Sequence, residues 1–334
     1  MQVLNFLFIL AIALGLHYLC NLLDKLTIMG AKNHSEETLR DTINALSCKE
    51  NIKDVCHLRQ YGEPLPSQQS VARIVDLCRG LIFPGFFGDS DVNNNNVTHY
   101  VGIRCEQLRE TLVEQITAGL CFNTPKNQDF NLNDISHSAQ EKADRFIANL
   151  PELRRLLFTD VKATYLGDPA AISTDEVIYC YPAIRAISNY RIAHELVKLE
   201  VPIIPRMISE QAHSETGIDI HPAATIGEGF TIDHGTGIVV GATAIIGNNV
   251  KLYQGVTLGA KSFDTDADGN PIKGIPRHPI IGDNVVIYSN ASILGRITIG
   301  ANAVIGGNIW VTENVAEGEK LVQAKANNFL RFKQ

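Results

Sequence analysis

The sequence predicts an α+β chain in which a helical region is followed by a parallel β-solenoid with three short sides per coil. Two patterns lead to this prediction: apolar residues recur at helical spacing before residue 205, and aliphatic residues recur at every sixth position after residue 217. The composition is that of a folded protein, since 45% of the 334 residues are apolar and 19% are charged. A chain of this length suggests about two domains.

The overall charge and the cysteines narrow the class of protein. The formal net charge is −7, which argues against a protein whose main task is to bind nucleic acid. The seven cysteines are odd in number and irregularly spaced, without a Cys-x-x-Cys pair. This pattern predicts reduced thiols that serve as packing residues in a cytoplasmic protein, and it argues against a disulfide framework or a zinc site.

Residues 1–28 form an apolar N-terminal extension. Its unbroken apolar run, residues 6–16, is short for a membrane span, and the first basic residue, Lys25, comes too late for a secretory signal. Three interpretations stay open: a weak signal or anchor that associates the protein with a membrane, a helix packed on the domain, or an extension upstream of a natural start at Met29. The third is favoured because residues 33–37 look like the capped start of a helix.

Residues 29–205 are predicted to form a helical assembly domain. Apolar stripes at three- and four-residue spacing mark its helices, and the last helix is expected to end before Pro202 and Pro205. The stripes are Leu39, Ile43 and Leu46; Leu108, Leu112, Val113, Ile116 and Leu120; Phe146, Ile147 and Leu150; and Ile184, Ile187, Ile192 and Leu196.

Residues 206–317 are predicted to form the solenoid. A helix cannot keep one face at a period of six, whereas a three-sided coil can place one inward aliphatic residue on each side and stack it on its equivalent in the next coil. Twelve of the thirteen positions in two runs are Ile or Val: Ile220, Ile226, Ile232, Ile238, Ala244, Val250 and Val256, then Ile281, Ile287, Ile293, Ile299, Ile305 and Val311.

Thirteen such units predict about four coils, a prism ~20 Å tall at the ~4.8 Å spacing of β-strands. The preceding helices are expected to cap one end and the C-terminal tail, residues 318–334, the other. Glycines beside the aliphatic positions are expected to supply the positive φ angles of the corners; they are Gly227, Gly241, Gly247, Gly259, Gly282, Gly300 and Gly306.

The repeat breaks once, in a polar excursion between Gly259 and Pro279, and loops on a rigid scaffold are where function concentrates. The spacing of Asp264, Asp266 and Asp268 is only faintly that of a calcium loop, because the final Glu is missing. We therefore predict no metal site here.

Two groups of residues carry chemistry. Asp219, His221, Asp233 and His234 lie in the first coil, and Arg277 with His278 ends the excursion. Imidazole is the usual general base near neutral pH, a carboxylate can fix its tautomer, and arginine offers a planar fork to a carboxylate ligand. His221 and Asp233 are twelve residues apart, which is two sides of a coil, so they should lie on different faces.

Residues 160–312 resemble the serine O-acetyltransferases, a family of hexapeptide-repeat acyltransferases. The combination of the three shorter motifs DIHP, IDHGTGIVVG and RHP is more specific than the repeat itself. The matching segments are DVKATYLGDPA at 160–170, YPAIRAISNYRIAHEL at 181–196, GIDIHPAATIG at 217–227, IDHGTGIVVG at 232–241, VTLG at 256–259 and RHP at 277–279.

The resemblance implies a left-handed parallel β-helix, a hand opposed to the usual right-handed crossover. It further implies trimers, or dimers of trimers formed through the helical domain, with active sites between neighbouring prisms. The implied reaction transfers acetyl from acetyl-CoA to the hydroxyl of L-serine, giving O-acetyl-L-serine and CoA in the first step of cysteine biosynthesis. Acetyl-CoA is then a co-substrate, and no cofactor is permanently bound.

The resemblance also assigns roles to residues. It implies that the serine hydroxyl attacks the thioester directly, without an acyl-enzyme, and that L-cysteine inhibits by using the serine-binding residues. The implied roles are His234 as general base, Asp219 as the carboxylate that orients it across the subunit, His278 as the second active-site histidine, Asp168 and Asp233 for the substrate amine, Arg277 for its carboxylate, and Gly259, Ala260, Ser289 and Gly307 along the CoA arm.

The chain departs from the family pattern in four places. The excursion is longer than in shorter members, Ala260 replaces the second glycine of its motif, and the Gly-x-Pro-Ala turn that touches CoA is missing at residues 321–325. The last residue is Gln334, whereas members that dock into cysteine synthase usually end in Ile. We therefore predict no tail-mediated complex with that enzyme.

Three alternative functions stay open. A sugar acyltransferase would share the repeat, although the set Asp168, Asp233 and Arg277 favours the two charged ends of an amino acid. A zinc β-helix hydratase of the γ-carbonic anhydrase type would need three convergent histidines, for which His221, His234 and His278 are available but wrongly spaced. A scaffold that has lost catalysis is disfavoured by the presence of both His234 and His278.

Overall fold

The computed structural model describes residues 2–48, 50, 63–88, 92–124 and 131–324. The chain forms two compact units, Met1–Gly62 and Glu63–Gln334. Within the described residues, no helix combines the length and the apolar character that a membrane crossing needs.

The described part of the first unit is dominated by one long helix, α1 (Gln2–Ser47). It continues through residue 28 and through the expected helix start at residues 33–37, because the stretch contains no proline to break it. The stripe of Leu39, Ile43 and Leu46 is exposed, so it is not part of a core as its spacing suggested.

The second unit begins with seven helices in its described part. The predicted stripes of its helices are confirmed as core, since Leu108, Leu112, Phe146, Ile187 and Leu196 are all buried. The helices are α2 (Gln68–Ile82), α3 (Val97–Asn123), α4 (Leu132–Ala148), α5 (Leu150–Gly167), α6 (Thr174–Cys180), α7 (Pro182–Lys198) and α8 (Ile204–Thr216).

Helix α8 was not predicted. The sequence predicts that Pro205 breaks the helix, but Pro205 lies in the first turn of α8, where a missing backbone N–H costs nothing. The buried residues Ile204, Ile208 and Ala212 recur at the four-residue spacing of one helix face. The expected boundary at 205/206 falls inside this helix, and the first strand begins at Asp219.

The cysteines differ in their surroundings. Cys78 and Cys121 are buried, as packing residues would be, whereas Cys20 and Cys180 are exposed. Burial raises the pKa of the Cys78 thiol far above its usual range, so this thiol stays protonated.

The solenoid consists of short parallel strands in three sheets, one strand per side of each coil. The sheet orders are β1-β4-β7-β10-β13, β2-β5-β8-β11 and β3-β6-β9-β12-β14, so the prism has about five coils rather than four. The strands are β1 (Asp219–Ile220), β2 (Thr225–Ile226), β3 (Thr231–Asp233), β4 (Val239–Val240), β5 (Ile245–Ile246), β6 (Lys251–Tyr253), β7 (Thr257–Gly259), β8 (Ile280–Ile281), β9 (Val286–Ile287), β10 (Ser292–Leu294), β11 (Thr298–Ile299), β12 (Val304–Ile305), β13 (Trp310–Val311) and β14 (Lys320–Leu321).

All thirteen predicted aliphatic positions are buried, but the stacking phase changes once. Ile220 pairs with Val240 and not with Ile238, because the first coil is two residues longer than the next, in which Val240 pairs with Leu258. The residues that stack in the strands of the second coil and at the start of the third are therefore Val240, Ile246, Leu252 and Leu258. Each lies two residues after a predicted position, namely Ile238, Ala244, Val250 and Val256. After the excursion, Ile281 and its successors are the strand positions, as predicted.

The corners are made by asparagine more than by the glycines named above, none of which has a positive φ. Asparagine tolerates the left-handed region better than other residues with a side chain. The amides also stack, since Asn249 donates to Asn284 at 3.2 Å and Asn284 to Asn302 at 3.1 Å. The positive-φ asparagines are Asn249, Asn284, Asn290, Asn302 and Asn308.

The predicted corner positions require glycine for a different reason, which is the lack of space for a side chain. A Cβ at Gly282 would lie 2.6 Å from the Ala301 nitrogen of the next coil, and one at Gly300 would lie 2.5 Å from the Glu317 nitrogen. The coils approach too closely at these points for any side chain. At Gly282 and Gly300 the repeat therefore requires glycine for space, whereas the positive φ angles of the corners are supplied by asparagines and by other glycines, such as Gly229 and Gly255.

The helices cap the first coil through a buried ion pair. Arg191 of α7 donates to Asp160 of α5 at 3.0 and 3.1 Å, and its other N–H groups reach the carbonyl oxygens of Ile226 and Gly227. Asp160 in turn accepts the backbone N–H of Phe230 at 2.9 Å. Both side chains are almost fully buried, at 2% and 0% exposure. This pair joins the helical region to the solenoid.

We predict that Asp160→Ala lowers the free energy of unfolding by about 3–5 kcal/mol, because it leaves the buried Arg191 charge without its carboxylate. The double variant Asp160→Leu/Arg191→Met should recover much of the loss. Asp144→Ala is the control, since Asp144 pairs with Arg109 on the surface and should shift the urea midpoint little. Equal midpoints for Asp160→Ala and Asp144→Ala would contradict the role of the buried pair.

Candidate functional site

The first group of site residues lies where β3 ends. Asp233 is the last residue of β3, and His234 turns the corner with φ +58. The His234 side chain is 77% exposed, and its Nε2 lies 3.7 Å from Asp233 Oδ1. The left-handed backbone thus presents a solvated imidazole beside a carboxylate. Gly235 completes the turn, since a Cβ there would lie 2.5 Å from Ile218 Cδ1.

Asp168 lies across a small pocket from Asp233. The pocket is bordered by both carboxylates together with Thr231, Tyr181 and Lys251. Asp168 follows the end of α5, and it accepts the Tyr181 hydroxyl at 2.7 Å and the Ala170 N–H at 2.8 Å. These two hydrogen bonds hold the pKa of Asp168 below its usual value, and the same carboxylate raises the pKa of Tyr181 to about 12.

Lys251 neutralises this pocket from the solenoid side. Its Nζ donates to Asp233 Oδ2 at 2.9 Å and to the Gly167 carbonyl oxygen at 2.9 Å. Neither Lys251 nor Tyr181 is among the site residues that the sequence predicts. Tyr181 begins the family-like segment at residues 181–196, which is a signal that could have identified it. No spacing rule marks Lys251, which faces the pocket only because β6 pairs with β3.

The second group lies at a different corner, between the first and second sheets. His278 precedes β8, is only 7% exposed and stands directly over Gly241, where any side chain would overlap its ring. The Thr243 N–H donates to His278 Nδ1 at 3.1 Å, which leaves the ring proton on Nε2. The Arg277 N–H donates to Thr243 Oγ1 at 2.9 Å, so one threonine holds both predicted residues.

The excursion forms a wall beside Arg277. Together with the β10–β11 turn it borders a cleft lined by residues that include Lys261, Phe263, Arg277, Leu294 and Arg296. The calcium-like aspartates are used within the excursion, since Asp266 Oδ1 accepts the backbone N–H groups of Asp268 and Asn270. Loop geometry accounts for that spacing.

Asp219 lies neither in the pocket of Asp168 and Asp233 nor beside Arg277 and His278. It begins β1, in a different sheet from Asp233, and its carboxylate lies within 4.8 Å of ligand atoms of Glu210 and His213. Between the residues described, no hydrogen bond or ion pair joins Asp219 to His234. The predicted contact is one between subunits, and it stays a prediction.

The comparisons with known proteins decide the family. The profile of the bacterial transferase hexapeptide family (six repeats) matches residues 278–308. The plasmid serine acetyltransferase of Synechococcus elongatus is 46% identical over 270 residues, which cover 80% of this chain and 85% of that protein. The chain belongs to the serine acetyltransferase family. It is therefore an acyltransferase built on a left-handed β-helix, as the resemblance implied.

Solved serine acetyltransferases share this architecture. Serine acetyltransferase 1 of Entamoeba histolytica, in complex with L-cysteine, is 33% identical with a TM-score of 0.65 and covers 79% of this chain and 89% of that chain. Isoform 3 of the same organism, in complex with cysteine, is 34% identical with a TM-score of 0.66 and covers 83% and 88%.

The predicted CoA-arm residues of this family member form two separate pairs. Ser289 and Gly307 lie on stacked coils, where a Cβ on Gly307 would lie 2.9 Å from the backbone carbonyl oxygen of Ser289. Gly259 ends β7 opposite Leu294, and Ala260 opens the excursion. Their roles toward CoA stay predictions.

The buried His278 predicts a pH-dependent stability for the enzyme. Burial, followed by the charges of Arg277, His221 and Arg296, lowers the pKa of His278 from 6.5 to about 4. The unfolded chain takes up this proton near the higher value and the folded chain only near the lower one. The free energy of unfolding should therefore fall as the pH drops from about 6.5 to about 4.

His278→Asn tests this, because an asparagine oxygen can still accept the Thr243 N–H but does not titrate. Urea midpoints at several pH values should show a flatter slope for His278→Asn than for the wild type in that window. His137→Asn, an exposed histidine on α4, is the control and should keep the wild-type slope. An unchanged slope in His278→Asn would assign the pH dependence to other groups.

Proposed function

We propose that the protein transfers the acetyl group of acetyl-CoA to the hydroxyl of L-serine, with His234 as general base. The observation that carries this proposal is the exposed His234 imidazole beside Asp233, across a small pocket from Asp168, in a member of the serine acetyltransferase family. An imidazole can take a hydroxyl proton at neutral pH.

The proposed step is a direct acyl transfer. His234 accepts the proton of the serine hydroxyl while the oxygen bonds to the acetyl carbon. The carbon–sulfur bond of the thioester then breaks, and the CoA thiolate leaves and takes up the proton that His234 holds, which returns the imidazole to its neutral form. The proposed step forms no acyl-enzyme, so the serine oxygen receives the acetyl group directly.

The remaining roles follow the charges of the substrate. Asp168 and Asp233 bind the ammonium group, and the Arg277 guanidinium binds the carboxylate. His278, with its proton on Nε2, serves as a neutral donor near Arg277. Asp219 orients His234 from a neighbouring subunit, which makes the trimer, or a dimer of trimers, the active assembly. Acetyl-CoA lies along Gly259, Ala260, Ser289 and Gly307.

L-Cysteine differs from L-serine only in its side-chain sulfur, so the same ammonium and carboxylate contacts can bind it. The complexes of the Entamoeba enzymes with cysteine support this inference. We propose that cysteine inhibits this enzyme at the serine site.

The deciding assay measures thiol release from acetyl-CoA with and without L-serine, and compares homoserine and galactosides as acceptors. His234→Ala should lower kcat/KM for L-serine by about 10²- to 10⁴-fold, the usual contribution of a general base. His137→Ala is the matched control and should keep wild-type activity, because that exposed histidine lies on α4. A His234→Ala variant with near-normal transfer would remove the assigned role.

Inhibition kinetics test the shared site. L-Cysteine should raise the apparent KM for L-serine and leave the maximal rate unchanged. Asp168→Asn should weaken both serine and cysteine binding, while Asp144→Asn, on the surface of α4, should change neither. Inhibition that excess serine does not relieve would place cysteine elsewhere.

A further inference from the structure

Lys251 is held at three points in the pocket that separates Asp168 from Asp233. Its Nζ donates to Asp233 Oδ2 at 2.9 Å and to the Gly167 carbonyl oxygen at 2.9 Å, and it lies 4.7 Å from the centre of the Tyr253 ring. Only 18% of the side chain is exposed. A lysine with these contacts is a fixed charge and not a solvated surface residue.

These contacts connect the two carboxylates mechanically. Asp233 ends strand β3, whereas Gly167 is the last residue of α5 and is followed by Asp168. The strand and the helix belong to different parts of the fold. Lys251 bridges them at the pocket, so it sets the separation of the carboxylates as well as their charge balance.

The bridge also divides the oxygens of Asp233 between two tasks. Oδ2 is occupied by Lys251, while Oδ1 points toward His234, whose Nε2 is 3.7 Å away. Asp168 is fixed in a similar way by the Tyr181 hydroxyl and the Ala170 N–H. Each carboxylate is thus oriented before any ligand arrives, and pre-orientation reduces the free-energy cost of binding.

Lys251 keeps its charge under ordinary conditions. Burial alone would lower the pKa of its amine, but the interactions with Asp233 and Tyr253 outweigh burial, and the pKa lies above its usual value. The pocket therefore contains two carboxylates and one permanent ammonium, with a net charge that favours one further cation.

We propose that Lys251 is a positioning residue for the amine of the amino-acid substrate, because it fixes Asp233 Oδ1 at a set distance from Asp168. This inference rests on the proposed function, in which these two carboxylates bind the ammonium group. Within the described part of one chain, no hydrogen bond or ion pair joins Lys251 to Arg277 or to the predicted CoA-arm residues, so we expect its influence at the amino-acid end of the reaction.

The test compares Lys251→Met, which removes the charge and keeps the aliphatic stem, with Lys251→Arg, which keeps a cationic donor. Lys251→Met should raise the KM for L-serine about tenfold, as loss of one charge-assisted contact does, and change kcat less than about threefold. The KM for acetyl-CoA should stay unchanged, and cysteine inhibition should weaken by the same factor as serine binding. Lys251→Arg should restore most of the serine affinity.

Lys162→Met is the control, since Lys162 is an exposed lysine on the same helix as Gly167. Thermal unfolding checks that each variant is folded, and Lys251→Gln, a neutral donor, replaces Lys251→Met if that variant is unfolded. A KM for L-serine that is unchanged or lower in the neutral variant would overturn the proposal, as would a fall in kcat alone. Wild-type protein that releases no thiol with L-serine would instead contradict the proposed function.

Discussion

The close stacking of one coil directly on the next is the constraint on which the solenoid depends. Parallel strands in adjacent coils are held at the spacing of a β-ladder, ~4.8 Å, so every residue must fit against its equivalent above and below. Inward aliphatic side chains satisfy this on the flat sides. Gly282 and Gly300 satisfy it where backbones nearly touch, and Asn284 stacked on Asn302 satisfies it at a corner. The same constraint fixes His278, whose ring occupies the space that a side chain at Gly241 would fill.

The first coil of the solenoid has an open end that must be covered. The helices that cover it also position the pocket. The buried pair of Arg191 and Asp160 attaches α7 and α5 to the first coil. Because α5 ends at Gly167, the attachment also determines where Asp168 stands relative to Asp233. The ion pair that caps the core and the lysine that spans the pocket therefore act on the same helix, one at its middle and one at its end. Stability of the cap and geometry of the pocket are coupled through α5.

The sequence predicted the repeat well because a period of six has one physical explanation, and all thirteen positions are buried. It predicted less well which aliphatic residue stacks on which. Because the first coil has two additional residues, Val240 instead of Ile238 stacks on Ile220, and since both are aliphatic and buried, the sequence pattern shows no break. It assigned glycine to the corners because positive φ is the familiar reason for glycine, whereas close approach between coils is visible only in three dimensions. The role of Lys251 could not be predicted for a similar reason. Its partners Asp233 and Gly167 are far from it in the sequence, and the register of β3 with β6 is what places Lys251 beside Asp233.

The placement of the two groups at different corners bears on how an amino acid could be bound. One side of a coil has two or three residues in extended conformation plus its corner residues, so its two corners lie on the order of 10 Å or more apart. The ammonium and carboxylate of an amino acid are attached to the same carbon, so one substrate cannot reach both the Asp168–Asp233 pocket and Arg277 of a single prism. The proposed roles of these residues are therefore compatible only if one chain supplies the carboxylates and a neighbouring chain supplies the arginine. Asp219 and His234 form no hydrogen bond or ion pair within the described part of one chain, so their predicted contact also needs a neighbouring chain. The proposed chemistry therefore needs at least two chains at each site, because the substrate is too small for a single subunit to bind it at both ends.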